Sequence, residues 1–239
     1  MSGVASPSSE NNHKVAVPKT STKNLYSLTL RHYIILAVIV LLSFSRMVRP
    51  QEFAFVVFTI IYMYFLSMVA FPVIPNVSYP PILTSKQLKF MGFYIIVTGI
   101  IGLVVPIAYV TEGFFFGHKE SIKPAVPHLF LLLCQVFMEG VGFSDKFSLP
   151  IRVYVPVVYN SVRISTLIEW LRDEFSMEYG GGDFASSSSA IRIYAGRSIV
   201  VANMVLWCFN LFGFLLPVWL PKIFKLYYSS PAALHKVKT

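Results

Sequence analysis

Hydrophobic side chains come in long runs along this chain, and charged ones gather in the gaps between them. Residues 53–85 carry no charge, and the stretch from Phe53 to Pro75 is long enough to cross a hydrocarbon core, which needs about 20 residues. Pro72, Pro75, Pro80 and Pro81 then end that helix and stiffen the turn. A second charge-free run covers Phe90 to Thr111, and another begins at Pro124 and stays apolar until Glu139. The last, Ser198 to Pro221, carries Trp207 and Trp219, and aromatic rings near the ends of such runs suit the headgroup level. Ahead of them all, Tyr33 to Phe44 is shorter. It reads as a first membrane helix reaching about Val48, with Arg46 and Arg49 snorkelling to the headgroups. Ser43-Phe44-Ser45 resembles a signal-peptide end, but the polar segment in front is too long for an ordinary n-region.

Ser148 to Trp170 breaks the pattern, because Arg152, Arg163 and Glu169 interrupt it. An arginine at the centre of a membrane helix costs roughly 2.5 to 3.5 kcal/mol on the insertion scale, so this segment either crosses against a partner or lies in the interface. The expected fold is therefore an all-α integral membrane bundle of five or six hydrophobic helices with disordered termini. The helices fall at about 33–48, 53–75, 90–111, 125–143, 148–171 and 196–221. Residues 1–32 read as a disordered basic tail, 172–191 as a flexible loop rich in Gly and Ser, and 224–239 as a second basic tail. Whether four, five or six segments cross, about twelve of the twenty Lys and Arg fall on the richer side, so the positive-inside rule does not choose. Six is preferred on parity, since both tails then share the cytosolic side.

Composition agrees with lipid as the solvent: 55% hydrophobic against 13% charged residues, with a mean hydropathy of +0.65. The net charge of +9 sits mainly in tails and connections, which fits anionic headgroups rather than nucleic acid. The expected partners are thus the bilayer, anionic headgroups at the basic tails, and other membrane proteins. Cys134 and Cys208 lie inside apolar runs and read as small hydrophobes.

Positions seven or eleven apart on a helix return to nearly the same face. That aligns His128, Gln135, Glu139 and Gly142, and separately Arg152, Tyr159, Arg163 and Thr166, with Asn160 on the flank. A short loop folds these two segments antiparallel, so Glu139 is expected to pair with Arg152 or Arg163, each charge lowering the cost of the other. Holding two helices together would suffice as a role for the pair; ion or proton movement, or headgroup binding, would be a functional one. Gly196, Asn203, Asn210 and Pro217 repeat at sevens, as do Gly92, Gly99 and Pro106. The asparagines suggest hydrogen bonds between helices, and the glycines a close-packing face beside a kink. His128, just after Pro127, is placed to cap or anchor its helix at the interface.

The five His are scattered, and no H-x-x-x-H, H-E-x-x-H, G-x-S-x-G or P-loop pattern occurs. Gly180-Gly181-Gly182 lacks the lysine that would make it a phosphate cradle. No catalytic residue, metal ligand or cofactor is expected. Asn76-Val77-Ser78 matches a glycosylation sequon close to a helix end, and Lys236 and Lys238 are imperfectly spaced for retrieval to the endoplasmic reticulum.

The block Pro127-His128-Leu129-Phe130, Gln135 to Val141, Phe143 to Arg152 and Tyr159-Asn160 resembles a land-plant family of uncharacterised multi-pass membrane proteins, a domain of unknown function. The resemblance is specific over about Pro127 to Trp170 and looser over Leu25 to Leu226. It implies a plant source and membrane residence, in an endomembrane or the plasma membrane, and transfers no catalytic residue. Relatives often carry a second basic residue where Val162 stands, which would make the positive stripe thinner here. The functions to weigh are a non-enzymatic scaffold or trafficking component and, as the alternative, a small carrier or channel with a polar path around Glu139 and Arg163.

Overall fold

The computed structural model describes residues 21–74, 79, 82–142, 147–176 and 187–229, with side chains from His32 onward except at 187–190. Among these residues every regular element is helical. α1 is Ser21–Phe44, α2 Pro50–Val69 and α3 Ser85–Phe115, the last with a π segment at Ile100–Val104. A single turn, α4 (Lys119–Ile122), precedes α5 (Val126–Gly142) and α6 (Leu149–Ser176). α7 starts as Ser187–Cys208, passes through a second π segment, Phe209–Trp219, and ends as Leu220–Tyr228.

Local chemistry sets several of these ends. Pro50 opens α2 where its missing N–H is not needed, and Glu52 sits in the first turn, where the helix dipole favours an acid. Thr84 caps α3: the Gln87 side-chain oxygen accepts the Thr84 backbone N–H at 3.0 Å and the hydroxyl at 2.7 Å. Two boundaries differ from expectation for tertiary reasons. α6 continues five residues past Leu171, with Glu174 drawn into the interior, so 172–176 and 187–191 of the expected 172–191 loop are helical, and 177–186 lie outside the described residues. α1 begins at Ser21, inside the stretch read as a disordered tail, as an extension of the apolar helix that follows. The sequon, the triple glycine and the C-terminal lysines lie outside the described residues.

Three helices are long and apolar enough to cross a membrane: Pro50–Val69, Ser85–Phe115 and Ile191–Tyr228. His32–Phe44 and Val126–Gly142 are apolar but shorter. α6 has the length, yet Arg152, Arg163, Glu169, Arg172, Asp173 and Glu174 keep it from qualifying by composition. α5 is buried along most of its length and forms the centre, with Phe130, Leu131, Cys134 and Met138 packed on Ile151, Val155 and Tyr159 of α6. α2 and α3 turn Val57, Phe58, Ile61, Met68, Phe93 and Ile96 outward, an extensive apolar face of the kind that marks contact with a membrane or another protein.

The six long helices alternate in direction. At one end the hydroxyl of Ser148 donates to Phe71 O at 2.7 Å and that of Tyr227 to Pro72 O at 3.0 Å, which gathers the end of α2, the start of α6 and the end of α7. His32 of α1 stacks edge-on against Phe137 of α5 in the same half. At the other end Arg49 pairs with Glu169, and Arg192 with Glu112. The start of α1 and the finish of α7 therefore share one end, called here the tail end. Charge divides the same way. Among the residues with described side chains, the tail end holds Lys86, Lys89, Arg152, Lys222 and Lys225 against a single acid, Glu139, whereas the opposite end mixes Arg46, Arg49, Lys119, Lys123, Arg172, Arg192 and Arg197 with Glu52, Glu112, Glu120, Glu169, Asp173 and Glu174.

Candidate functional site

Pro106 organises the middle of α3. Having no N–H, it cannot donate to Gly102 O in an α register or to Ile101 O in the π register that Val105 N–H to Ile100 O establishes. Both carbonyls find donors on other helices instead. Asn203 Nδ2 of α7 donates to Ile101 O at 3.1 Å, and His128 Nε2 of α5 lies 3.3 Å from Gly102 O, to which it can only donate. Leaving either carbonyl unpaired in an apolar interior would cost several kcal/mol. His128 is thus fully buried between helices, not a cap at the interface. Gly102 permits the approach: a Cβ there would lie 2.7 Å from Cζ2 of Trp207. Trp207 Nε1 donates to Asn203 Oδ1 at 3.2 Å, so one asparagine joins three groups.

The other face of Trp207 covers a charge. Arg163 has no exposed surface, and its Cζ sits 4.1 Å from the indole ring centre. Desolvated contacts of this kind contribute about 2 kcal/mol. One guanidinium nitrogen donates to Asn160 Oδ1 at 2.5 Å and another to Gln135 Oε1. Gln135 in turn donates from Nε2 to Glu139 Oε1 at 2.6 Å. A relay therefore runs Arg163, Gln135, Glu139, with the amide standing between the two charges.

Glu139 and Gln135 also face a cavity of about 380 Å³ bounded by α3, α5, α6 and α7. Arg152 and Asn210 contribute the other strongly polar walls, and the rest is apolar. Along their helices, Leu103, Leu132 and Trp207 lie on the side of the cavity away from the tail end, while Met91, Glu139, Arg152 and Trp219 lie towards it. Two further hydroxyls on this wall, Tyr94 and Thr98, stand one helical turn apart on α3 and interact with each other. Gly99 leaves open space, since a Cβ there meets nothing within 4 Å. Chemically, the site offers a carboxylate, a guanidinium and neutral donors and acceptors inside greasy walls, the make-up of a binding site for an amphiphile.

The expected site residues thus separate into two groups. His128, Asn160, Arg163 and Asn203 bond within the protein, whereas Gln135, Glu139, Arg152 and Asn210 line the cavity. Sequence reasoning missed a second buried polar cluster at the opposite end. There the Glu174 carboxylate, 1% exposed, accepts from Tyr109 Oη at 2.9 Å and Trp170 Nε1 at 3.1 Å. Gly196 makes room for it, as a Cβ would come within 2.7 Å of that carboxylate. The available signal was the i, i+4 spacing of Trp170 and Glu174. Nearby, the Glu52 and Glu169 carboxylates hold the Arg49 guanidinium above its ordinary pKa, mainly through the Glu52 hydrogen bond. No three His, Cys, Asp or Glu side chains among the described residues converge as metal ligands.

Residues 28–228 match a family described as a domain of unknown function, DUF7733. The chain belongs to the DUF7733 family. The match takes in all the cavity-lining residues and both polar clusters of this DUF7733 protein, so what has been described is the family's domain. No curated protein and no solved structure matches the chain.

Proposed function

We propose that this protein is a multi-pass integral membrane protein of a land-plant family, with six passes and both tails on the cytosolic side, and that its cavity receives the polar part of a membrane-borne ligand. The cavity carries this reading: it is a cleft of about 380 Å³, open to the surroundings of the helices, where Glu139, Arg152 and Asn210 stand together in otherwise apolar walls and so suit a guest with a polar head and an oily remainder. The paired hydroxyls of Tyr94 and Thr98 add polar atoms to the same wall. The role is that of a binding protein or carrier, with Glu139 and Arg152 as the recognition pair and Arg163 as a structural charge behind Gln135. The scaffold reading draws on a different observation, the self-contained network of His128, Asn203 and Trp207, which explains those residues without a ligand.

Gly99→Phe separates the two. The phenyl ring enters open space in the cavity, so a plain packing void would be filled and the protein stabilised. For a ligand site, mass spectrometry of the detergent-purified full chain would instead show a retained amphiphile that Gly99→Phe and Glu139→Gln both deplete. A wild-type protein that retains nothing, with a Gly99→Phe variant that melts higher, would refute the ligand reading.

A further inference from the structure

At the tail end the main cavity continues into a groove of about 360 Å³ between α3 and α7, and Met91, Phe214 and Trp219 line both. Its walls are apolar, with Leu83, Phe90 and Val218 facing across. Among the described residues its cations are Lys86, from the first turn of α3, and Lys222, from the last segment of α7. Neither ammonium group has a carboxylate partner among the described residues, in contrast to Arg49, Lys123 and Arg192 at the opposite end. Trp219 stacks on Phe214 at 5.7 Å beside these lysines, a position suited to a ring at the headgroup level. From Lys86 to Gly99 the wall of α3 runs about 20 Å at 1.5 Å per residue, long enough to shield most of an extended hydrocarbon chain.

We propose that this groove seats one anionic phospholipid, its phosphate held by Lys86 and Lys222 and one acyl chain laid against Phe90, Phe214 and Val218. Two cations without a carboxylate partner among the described residues, at the mouth of an apolar trough, complement a molecule that is both anionic and oily. A free phosphate would leave the trough exposed, and a neutral lipid would leave the lysines uncompensated. The occupant extends the reading of the cavity as a ligand site, since groove and cavity are continuous.

The test uses the full chain in phosphatidylcholine vesicles doped with phosphatidylglycerol brominated on its acyl chains, read through quenching of Trp219 fluorescence. Trp219→Phe gives the signal that Trp170 and the cavity-lining Trp207 contribute, which is subtracted. Quenching should saturate at a low fraction of the anionic lipid, and brominated phosphatidylcholine should not reproduce it. Lys86→Gln with Lys222→Gln should shift the half-saturation point about 30-fold, about five-fold for each lysine. Lys89→Gln with Lys225→Gln removes equal charge from the same end but outside the groove, and should change it by no more than about two-fold. Equal losses in the two double variants would mean diffuse surface attraction and overturn the site. So would insensitivity to Lys86→Gln with Lys222→Gln, or displacement of the brominated lipid by inorganic phosphate. Gly99→Phe keeps this inference apart from the cavity reading. Lysine-dependent quenching that survives Gly99→Phe, with no ligand lost from the cavity, supports the headgroup site while removing the deeper one.

Discussion

Gly102→Ala is the sharpest test of how α3 is held. The added methyl would lie 2.7 Å from Cζ2, 3.3 Å from Cε2 and 3.5 Å from Nε1 of Trp207. The indole is a rigid ring, 3% exposed, fixed by its bond to Asn203 on one edge and by Arg163 at 4.1 Å on its face. It cannot swing away cheaply, so either it shifts by several tenths of an ångström or the π segment moves. Overpacking of this kind costs about 1–3 kcal/mol, and weakening the Arg163 contact adds a further share of about 2 kcal/mol. Alanine recovers up to about 1 kcal/mol through its better helix propensity. The net expectation is a loss of about 2–3 kcal/mol. At about 3 °C per kcal/mol for a chain of this length, apparent Tm falls by about 6–9 °C. Tryptophan fluorescence of the detergent-purified protein during heating reads this directly, because Trp207 is the displaced group. Gly92→Ala is the control: nothing lies within 4 Å of its Cβ position, so the same substitution should leave Tm unchanged or raise it. Equal melting of Gly102→Ala and wild type, or a matching fall in Gly92→Ala, would refute this account of the packing.

Gln135→Leu leaves one Arg163 nitrogen without its acceptor in the interior and should cost about 3 kcal/mol, whereas Gln135→Glu keeps an acceptor and should melt closer to wild type; thermal unfolding compares them. Asn203→Ala should cost about 1 kcal/mol, and less in a Pro106→Ala background where Ile101 O regains a backbone donor; a double-mutant cycle should return a coupling of about 0.5–1 kcal/mol. Gly196→Ala should push the Glu174 carboxylate off Tyr109 and Trp170 and lower Tm, with Glu174→Gln partly relieving the loss. Cysteines placed ahead of α1 and after Tyr228 should react with an impermeant maleimide from the same side of sealed vesicles, and labelling from opposite sides would remove the six-pass proposal.

Where the helices lie was largely legible, because runs of uncharged apolar residues leave the backbone few other choices. What escaped was phase. Stripes at sevens assume an unbroken α register, and both long helices abandon it. Gly196, Asn203 and Asn210 are all buried as the spacing implies, but Pro217, beyond the start of the second π segment, is exposed. On α3 the stripe of Gly92, Gly99 and Pro106 fails in the same way: Pro106 is buried, Gly92 is exposed, and the tight glycine is Gly102, off the stripe. No composition signals such a shift in advance, since it follows from contacts with α5 and α7. The acidic end of α6 was misjudged for a related reason. Asp173 and Glu174 look alike in the sequence, and only the position of Tyr109 decides that one is solvated and the other enclosed.

The π segment at Ile100–Val104 also makes chain length, and not only side-chain identity, a condition of this architecture. A π turn absorbs one extra residue in an α-helix. Excising one residue in the plain α winding between this segment and Tyr109, where no wide turn takes up the change, would rotate everything beyond it by about 100°. Tyr109 would then leave Glu174, and Gly113 would no longer face Arg192 and Ile122. A single-codon deletion should therefore do more harm just beyond the π segment than within it, although the residues removed are apolar in both places.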